Sequence, residues 1–403
     1  MVQTAGMSPT GRQFEQTLDS FLEDLRGSGR YRRLRAFAAA GNGRVVVGGR
    51  ELLNFSSNDY LGLAGHPALI ERACRWTEAW GTGATASRLV CGTLEPHQAV
   101  EEKLAKGKGT AAALIFNSGF QANSAVLAAL FDKDFLGAAP LVFSDRLNHA
   151  SIHHGCGAGG ARQIRYRHND MDHLETLLQA NAGKPGVRFI VTETVFSMDG
   201  DRVDVDVLTG LAARYGAFLY LDEAHATGVL GRNGFGLAAG HSVDLVMGTF
   251  SKGLGGFGAY VACSRKLREY LINRCSGFIY STALPPAVLG AMDAALDLLP
   301  SLETERRRLR AMAERVRRAF RSAGIDVGAS STQIIPAIVG SDELALSMAG
   351  ELETKGILAV AIRPPSVPHG ASRIRFALSA SHSDEDIERL IQTVTVGALG
   401  EEA

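Results

Sequence analysis

AFLYLDEAHATG (217–228) ends a strand-like apolar run on a carboxylate, Asp222, and GTFSKGLGGFG (248–258) ends another just before an amine, Lys252, thirty residues further on. In open α/β sheets ligands bind beyond the carboxyl ends of the strands, so two such groups at two strand ends mark one crevice. Hydroxyls stand one and three residues before the amine, at Ser251 and Thr249. An amine, a carboxylate and a hydroxyl so placed are what a pyridoxal phosphate site requires. The lysine can form the Schiff base, the carboxylate can keep a pyridinium nitrogen protonated so that the ring is an electron sink, and Thr249 or Ser251 can reach a phosphate.

Working outward, further apolar runs of strand length alternate with helical patterns: AAALIF (111–116), PLVFS (140–144), RFIVTE (188–193), DLVMGTF (244–250) and GAYVACS (258–264). This alternation predicts an α/β fold with a mostly parallel central sheet and flanking helices. Several of the runs end in polar clusters that should converge. After residue 290 the texture changes. Leu309, Met312, Val316 and Phe320 recur at helical spacing among arginines, and Ser383 with Asp386 caps a terminal helix. QIIPAIVG (333–340) and SRIRFALSA (372–380) read as strands. The predicted organisation is an amino-terminal helix and connection over 1–50, a cofactor-binding large domain over 51–290 and a smaller α+β domain over 291–403. Phe21, Leu22, Leu25, Tyr31 and Leu34 should pack the amino-terminal segment onto the body.

Forty-two basic residues balance forty-two acidic ones. That balance gives no field for nucleic acid or an anionic membrane, and small molecules are the expected substrates. Five cysteines with no Cys-x-x-Cys pair argue against a disulfide framework and for a reducing cytoplasm. The amino terminus has no apolar signal core, and no apolar run approaches a membrane span.

Other candidates belong to the same strand ends. The glycines around Lys252 should give its side chain freedom to swing between cofactor and substrate. Gly253, Gly255 and Gly258 also satisfy G-x-G-x-x-G, yet the pattern runs into a strand instead of opening a helix, which counts against a dinucleotide site. His225, three residues after Asp222, can bond a cofactor phenolic oxygen or be a structural histidine. His149 and His153 share a helical spacing, but no glutamate or cysteine pair completes a metal site, and no metal is expected. His149 stacked on a planar ring is the better reading. Ser118, Gly119 and Phe120 precede a helix whose first N–H groups can take an anion. Alternation puts Arg373 and Arg375 on one face of their strand. One of these, or Arg363, can clamp a carboxylate, or each can be a solvated charge.

NFSSNDYLGL (54–63), GTGATASRLVCGTLEPHQAVEEKLA (81–105), SDRLNHAS (144–151), VFSMDGD (195–201), LDEAHATGVLG (221–231), TFSKGLG (249–255), YSTALPP (280–286) and AIRPPSVPHGASRIR (361–375) closely resemble the α-oxoamine synthases. These are pyridoxal phosphate transferases of fold type I, the aspartate aminotransferase-like fold. The resemblance runs from about residue 30 to the end, in the family's order. It implies the internal aldimine on Lys252, the pyridinium partner in Asp222, the ring stack in His149, and Ser197 and His225 near the phenolic oxygen. Gly119, Phe120 and Thr249 would hold the phosphate, with Ser281 and Thr282 reaching across from the other subunit of a homodimer. Asn58 and Arg375 would bind the amino-acid carboxylate, assisted by Arg32, with Arg33 adjacent. The Arg-Pro-Pro-Ser-Val-Pro segment and the SSNDYLGL opening point to condensation of L-alanine with pimeloyl-CoA or its carrier-protein equivalent, in biotin biosynthesis. Relatives that use glycine with acetyl-CoA, make 5-aminolevulinate or use serine with a long acyl-CoA are the alternatives, and a non-catalytic scaffold of the same fold is a further one.

Overall fold

The structure, a computed structural model, describes residues 8–399. Seven strands form the central sheet: β1 (Ala112–Phe116), β2 (Leu141–Asp145), β3 (Gln163–Tyr166), β4 (Arg188–Glu193), β5 (Ala217–Asp222), β6 (Leu245–Thr249) and β7 (Ala259–Cys263). Their order is β1-β7-β6-β5-β4-β2-β3. Only β7 runs against its neighbours; the rest pair in parallel. Every residue of β1, β6 and β7 is buried, because helices cover both faces. Six of these strands follow the apolar runs. The seventh, β3, reads QIRY, a short edge strand that alternates too weakly to stand out from sequence.

Beyond residue 290 a second layer forms. β8 (Ile334–Gly340), β9 (Val360–Ile362) and β10 (Ser372–Ala377) make an antiparallel sheet in the order β8-β10-β9. Glu303–Ser322 and Asp384–Leu399 cover it. Phe376 of β10 meets Phe320 of the first helix edge-on, with ring centroids 5.5 Å apart. The second helix is closed by a reciprocal cap: Ser383 N–H donates to Asp386 Oδ2 at 2.9 Å, and Asp386 N–H donates to Ser383 Oγ at 3.1 Å.

The amino-terminal segment is built into this smaller layer. Strands Ala38–Gly41, Arg44–Val47 and Arg50–Asn54 form an antiparallel meander, and the last pairs in parallel with Ile357–Leu358. A boundary at residue 50 therefore falls at the start of a strand. The helix Pro9–Gly27 buries none of its apolar stripe in the cores of its own chain. Of the residues expected to pack this segment on the body, Leu22, Leu25 and Tyr31 are half-buried, while Phe21 is 59% exposed and Leu34 fully exposed. Among the described residues no helix is long and apolar enough to cross a membrane.

Candidate active site

β5 stops at Asp222, and the turn that follows is pinned by its own carboxylate. Asp222 Oδ1 accepts the Ala224 N–H at 2.8 Å, while Oδ2 accepts Asn123 Nδ2 at 2.8 Å. Asn123 is itself fixed, donating to Ser151 Oγ at 2.9 Å and accepting from the Tyr220 hydroxyl at 2.7 Å. Asp222 is 3% exposed. A buried carboxylate with its bonds oriented this way is an anion held ready for a cation.

The next residue, Glu223, turns away from the site into a buried ion pair with Lys108, Nζ to Oε2 2.6 Å, and its Oε1 accepts the Ala238 N–H. Tyr260 and Thr227 complete that cluster at 2.7 Å from each other. The turn is thus anchored from below, and His225 is aimed inward.

Lys252 Nζ lies 2.9 Å from His225 Nε2. Burial pushes the lysine down to about 8, although Asp222 and Glu193 pull it the other way. Burial, with help from Lys252 and Arg375, also holds His225 well below the usual histidine range, so its ring is neutral. Tyr60 meets the other ring nitrogen of His225. Its hydroxyl donates to Asn58 Oδ1 at 3.1 Å and lies 2.5 Å from His225 Nδ1. His225 thus links Tyr60 to Lys252 through its two ring nitrogens.

The glycines after Lys252 are also required by the packing of their own backbone. A Cβ on Gly253 would come within 2.7 Å of Thr227 O, and one on Gly255, at φ +63°, within 2.4 Å of Ala64 N. They let the lysine turn press against the DEAH turn and the Leu63–Ala64 backbone. Close approach is what these two positions require. Thr249 is buried under the same turn, with Oγ1 2.6 Å from Ser251 Oγ and donating to Gly258 O at 2.8 Å.

An anion cradle opens at the start of the Gly119–Leu130 helix. Ser118 caps it, Oγ accepting Gln121 N–H at 3.2 Å and the carbonyl accepting Ala122 N–H at 2.9 Å. The N–H groups of Gly119 and Phe120 have no acceptor among the described residues, as the first turn of a helix leaves them. Phe120 is half-exposed beside His154, ring centroids 5.4 Å apart. Ser281 and Thr282 sit against this turn within the same chain. Gln121 Nε2 donates to Ser281 Oγ at 2.6 Å, and Asn117 Nδ2 donates to Thr282 O at 3.0 Å.

His149 ends the turn after β2, exposed to the cleft. Its backbone N–H donates to Glu193 Oε1 at 2.6 Å, and its Nδ1 lies 2.7 Å from Ser151 Oγ. Burial of one side of the ring lowers its proton affinity against the pull of Asp222. Glu193 pairs with Asp222 across β4 and β5, and burial beside that carboxylate raises it well above its usual range.

The two arginines that sequence could not tell from solvated charges are decided by topology. β10 is the central strand of its sheet, so Arg373 and Arg375 are 4% and 5% exposed. Arg373 Nη1 pairs with Asp199 Oδ1 at 2.6 Å. Arg375 reaches the site, Nη2 to Asn58 Oδ1 at 3.1 Å and Nε to the Ser197 carbonyl at 2.5 Å. Arg363 and Arg32 are brought to a cleft of about 1220 Å³ that also has Phe21, His149, Met198 and Val367 in its walls. Arg363 Nη1 donates to the Gly29 carbonyl, tying the cleft to the amino-terminal connection.

The residues fit pyridoxal phosphate: an amine with depressed proton affinity, an oriented buried carboxylate and free N–H groups at a helix start. Asn123, Ser151, Tyr220, Tyr60 and Glu193 were missed by sequence reasoning. Each works through a partner between 28 and 165 residues away, or on a neighbouring strand, and no local pattern marks it.

The model of the class I and II aminotransferases matches residues 50–394. The 8-amino-7-oxononanoate synthase of Gluconacetobacter diazotrophicus is 58% identical over 358 residues, 88% of this chain and 90% of its own. A serine palmitoyltransferase structure from Sphingomonas wittichii superposes with a TM-score of 0.87 at 28% identity, covering 95% of this chain and 97% of its own. An 8-amino-7-oxononanoate synthase structure from Francisella tularensis does so at 0.75 and 27%, covering 87% and 99%. The chain belongs to the class I and II aminotransferase family and has the fold type I architecture. Within that family it is an α-oxoamine synthase.

Proposed function

We propose that this chain holds pyridoxal 5′-phosphate and condenses L-alanine with the acyl group of a pimeloyl thioester, releasing the thiol and carbon dioxide and giving 8-amino-7-oxononanoate for biotin biosynthesis. The observation that carries the chemistry is Lys252, whose amine, lowered to about 8, lies 2.9 Å from a neutral His225. The choice of alanine and a pimeloyl group rests on the relative of that name at 58% identity. Structural likeness alone does not choose, since the serine- and alanine-type structures stand at 28% and 27%.

Lys252 would hold the cofactor, Asp222 would face its ring nitrogen and His149 its ring plane. Ser197 and His225 would flank its phenolic oxygen, and Ser118, Gly119, Phe120 and Thr249 its phosphate. When bound, the cofactor supplies an electron sink for the pair left on the amino acid's α-carbon. Arg375 and Asn58 orient the amino-acid carboxylate, with Arg32 at the cleft wall. Lys252 Nζ takes the α-proton; an amine poised near neutral pH is suited to that transfer. His149, at the cleft, donates a proton towards the acyl oxygen as the new carbon–carbon bond forms, and the carbonyl is restored when the thiol departs. Arg363 and the apolar wall around Met198 and Val367 receive the acyl chain.

The exposed stripe of Phe14, Leu18 and Phe21, with exposed Leu89, Val90, Phe257 and Tyr280, gives a second copy an apolar face to cover. A homodimer would bring its Ser281 and Thr282 to the neighbouring phosphate. The five cysteines are all free thiols, which suits a reducing cytoplasm.

A spectral titration of cofactor-loaded protein with alanine, glycine and serine, followed by turnover with pimeloyl-CoA and with its carrier-protein thioester, tests this. Alanine should shift the visible spectrum and support turnover. A response to glycine or serine with none to alanine would overturn the assignment.

A further inference from the structure

Two turns carry groups on the open side of the site: residues 145–149 after β2, ending at His149, and residues 195–202 after β4, which include Ser197. His168, just past edge strand β3, stands between them. Its Nδ1 is 3.1 Å from Asp145 Oδ1, and its Nε2 is 3.1 Å from Asp201 Oδ2. Asn169 repeats the bridge. Its N–H donates to Asp145 Oδ2 at 2.7 Å and its Nδ2 to Asp201 Oδ2 at 2.9 Å, from a backbone at φ +51°.

Each aspartate is wired into a site turn, Asp145 through its carboxylate and Asp201 through its backbone carbonyl. Asp145 Oδ1 also accepts the Leu147 N–H at 2.8 Å, two residues before His149. The Asp201 carbonyl accepts the Phe196 N–H at 3.1 Å, and the next carbonyl, that of Ser197, holds Arg375 Nε at 2.5 Å. Both carboxylates are buried, at 0% and 3% exposure, and the Phe196 ring stands edge-on to the imidazole at 4.4 Å.

We propose that His168 is a positioning residue. As an imidazolium between Asp145 and Asp201 it sets the spacing of the His149 turn and the Ser197 turn, and through Ser197 the aim of Arg375 at the amino-acid carboxylate. The last step rests on the reading of the site proposed above.

Charge requires the cationic form. Nδ1 hydrogen-bonds Asp145, while Nε2 stands at ion-pair distance from Asp201 Oδ2 without hydrogen-bond alignment, so a neutral imidazole would serve Asp145 alone and only the cation attracts both carboxylates. Two buried carboxylates with no cation between them would repel. Asp201 Oδ1 has no hydrogen-bond partner among the described residues, so that group depends on His168 and Asn169. Burial pushes the imidazole down, but Asp145 and Asp201 together outweigh it and hold it up at about 10.

The test compares cofactor-loaded wild type with His168→Phe and His168→Asn, using amide hydrogen exchange and spectral titration with L-alanine. Exchange over 145–149 and 195–202 should quicken about tenfold or more in both variants, while the Asp384–Leu399 helix keeps its wild-type rates. The alanine concentration for half-saturation should rise about tenfold, with a smaller fall in turnover. Exchange and half-saturation both within about twofold of wild type would overturn the proposal, and so would exchange quickened uniformly along the chain. His168→Asn keeps a donor with less bulk and decides the matter should the Phe variant not fold. A wild type that answers to none of alanine, glycine and serine would defeat the proposed function, while the exchange result would still decide the clamp.

Discussion

Beneath the site, Asp222 and Glu223 stand on one turn, fully enclosed, with the carboxylates bonded to Asn123 and Lys108. Above it, Arg32, Arg363 and Phe21 line a cleft of about 1220 Å³, and the helix that supplies Phe21 is largely exposed. The floor is over-determined: moving one group there breaks bonds to two or three others. The roof is a set of separate side chains on an amino-terminal connection and a proline-rich loop. Chemistry that every family member must perform belongs on the first kind of structure, and the choice of acyl chain belongs on the second. This separation accords with solved structures named for different substrates standing at 28% and 27% identity to the chain.

That contrast can be broken most directly at Lys252. Lys252→Ala should cut turnover about 10³-fold or more and remove the visible absorbance of the bound cofactor, read in a single-turnover assay. An active variant with an unchanged spectrum would take the chemistry out of the floor. Lys108→Met should lower unfolding stability by about 3–5 kcal/mol in a denaturant titration, because it strands Glu223 as an unpaired buried charge. Pairing it with Glu223→Leu should recover much of that loss, a result that separates charge from packing. Arg375→Ala should raise the alanine concentration for half-saturation about 10–100-fold through loss of a charged hydrogen-bond partner.

The floor should also answer to pH. Lys252 sits at about 8 against an ordinary 10.5, so between those values the unfolded chain binds a proton that the folded cofactor-free protein lacks. Stability should therefore rise with pH across that window. The rate at which cofactor-free protein captures pyridoxal phosphate, followed by stopped-flow absorbance, should climb about tenfold per pH unit below 8 and level off above it. The smallest effect belongs to the roof. Arg363→Ala should leave alanine half-saturation within about twofold while raising the KM for pimeloyl-CoA about tenfold. Equal effects on both substrates would dissolve the distinction between floor and roof.

Much of the site was legible because strand ends are local. An apolar run that stops on Asp222, or just before Lys252, shows its polarity within ten residues, and the same holds for His149 and Ser118. β3 escaped notice because an edge strand four residues long is not buried enough to carry an alternating pattern. The glycines beside Lys252 were visible, but sequence shows that a Cβ is missing, not which backbone occupies its place.

By itself, then, the sequence determined the class of chemistry, the alternation of strands and helices, and which residue types stand at the ends of the strands. Those properties follow from short-range periodicity and from the cost of placing polar groups beside apolar runs. Tertiary structure alone decided that Arg375 is buried and bonded to Asn58, that Tyr60 meets His225, that Asn123 orients Asp222, and that the Phe14–Phe21 stripe is left uncovered. The reason is physical. Burial and hydrogen-bond direction are properties of groups brought together across 99 to 317 residues of chain, and proton affinity follows from both.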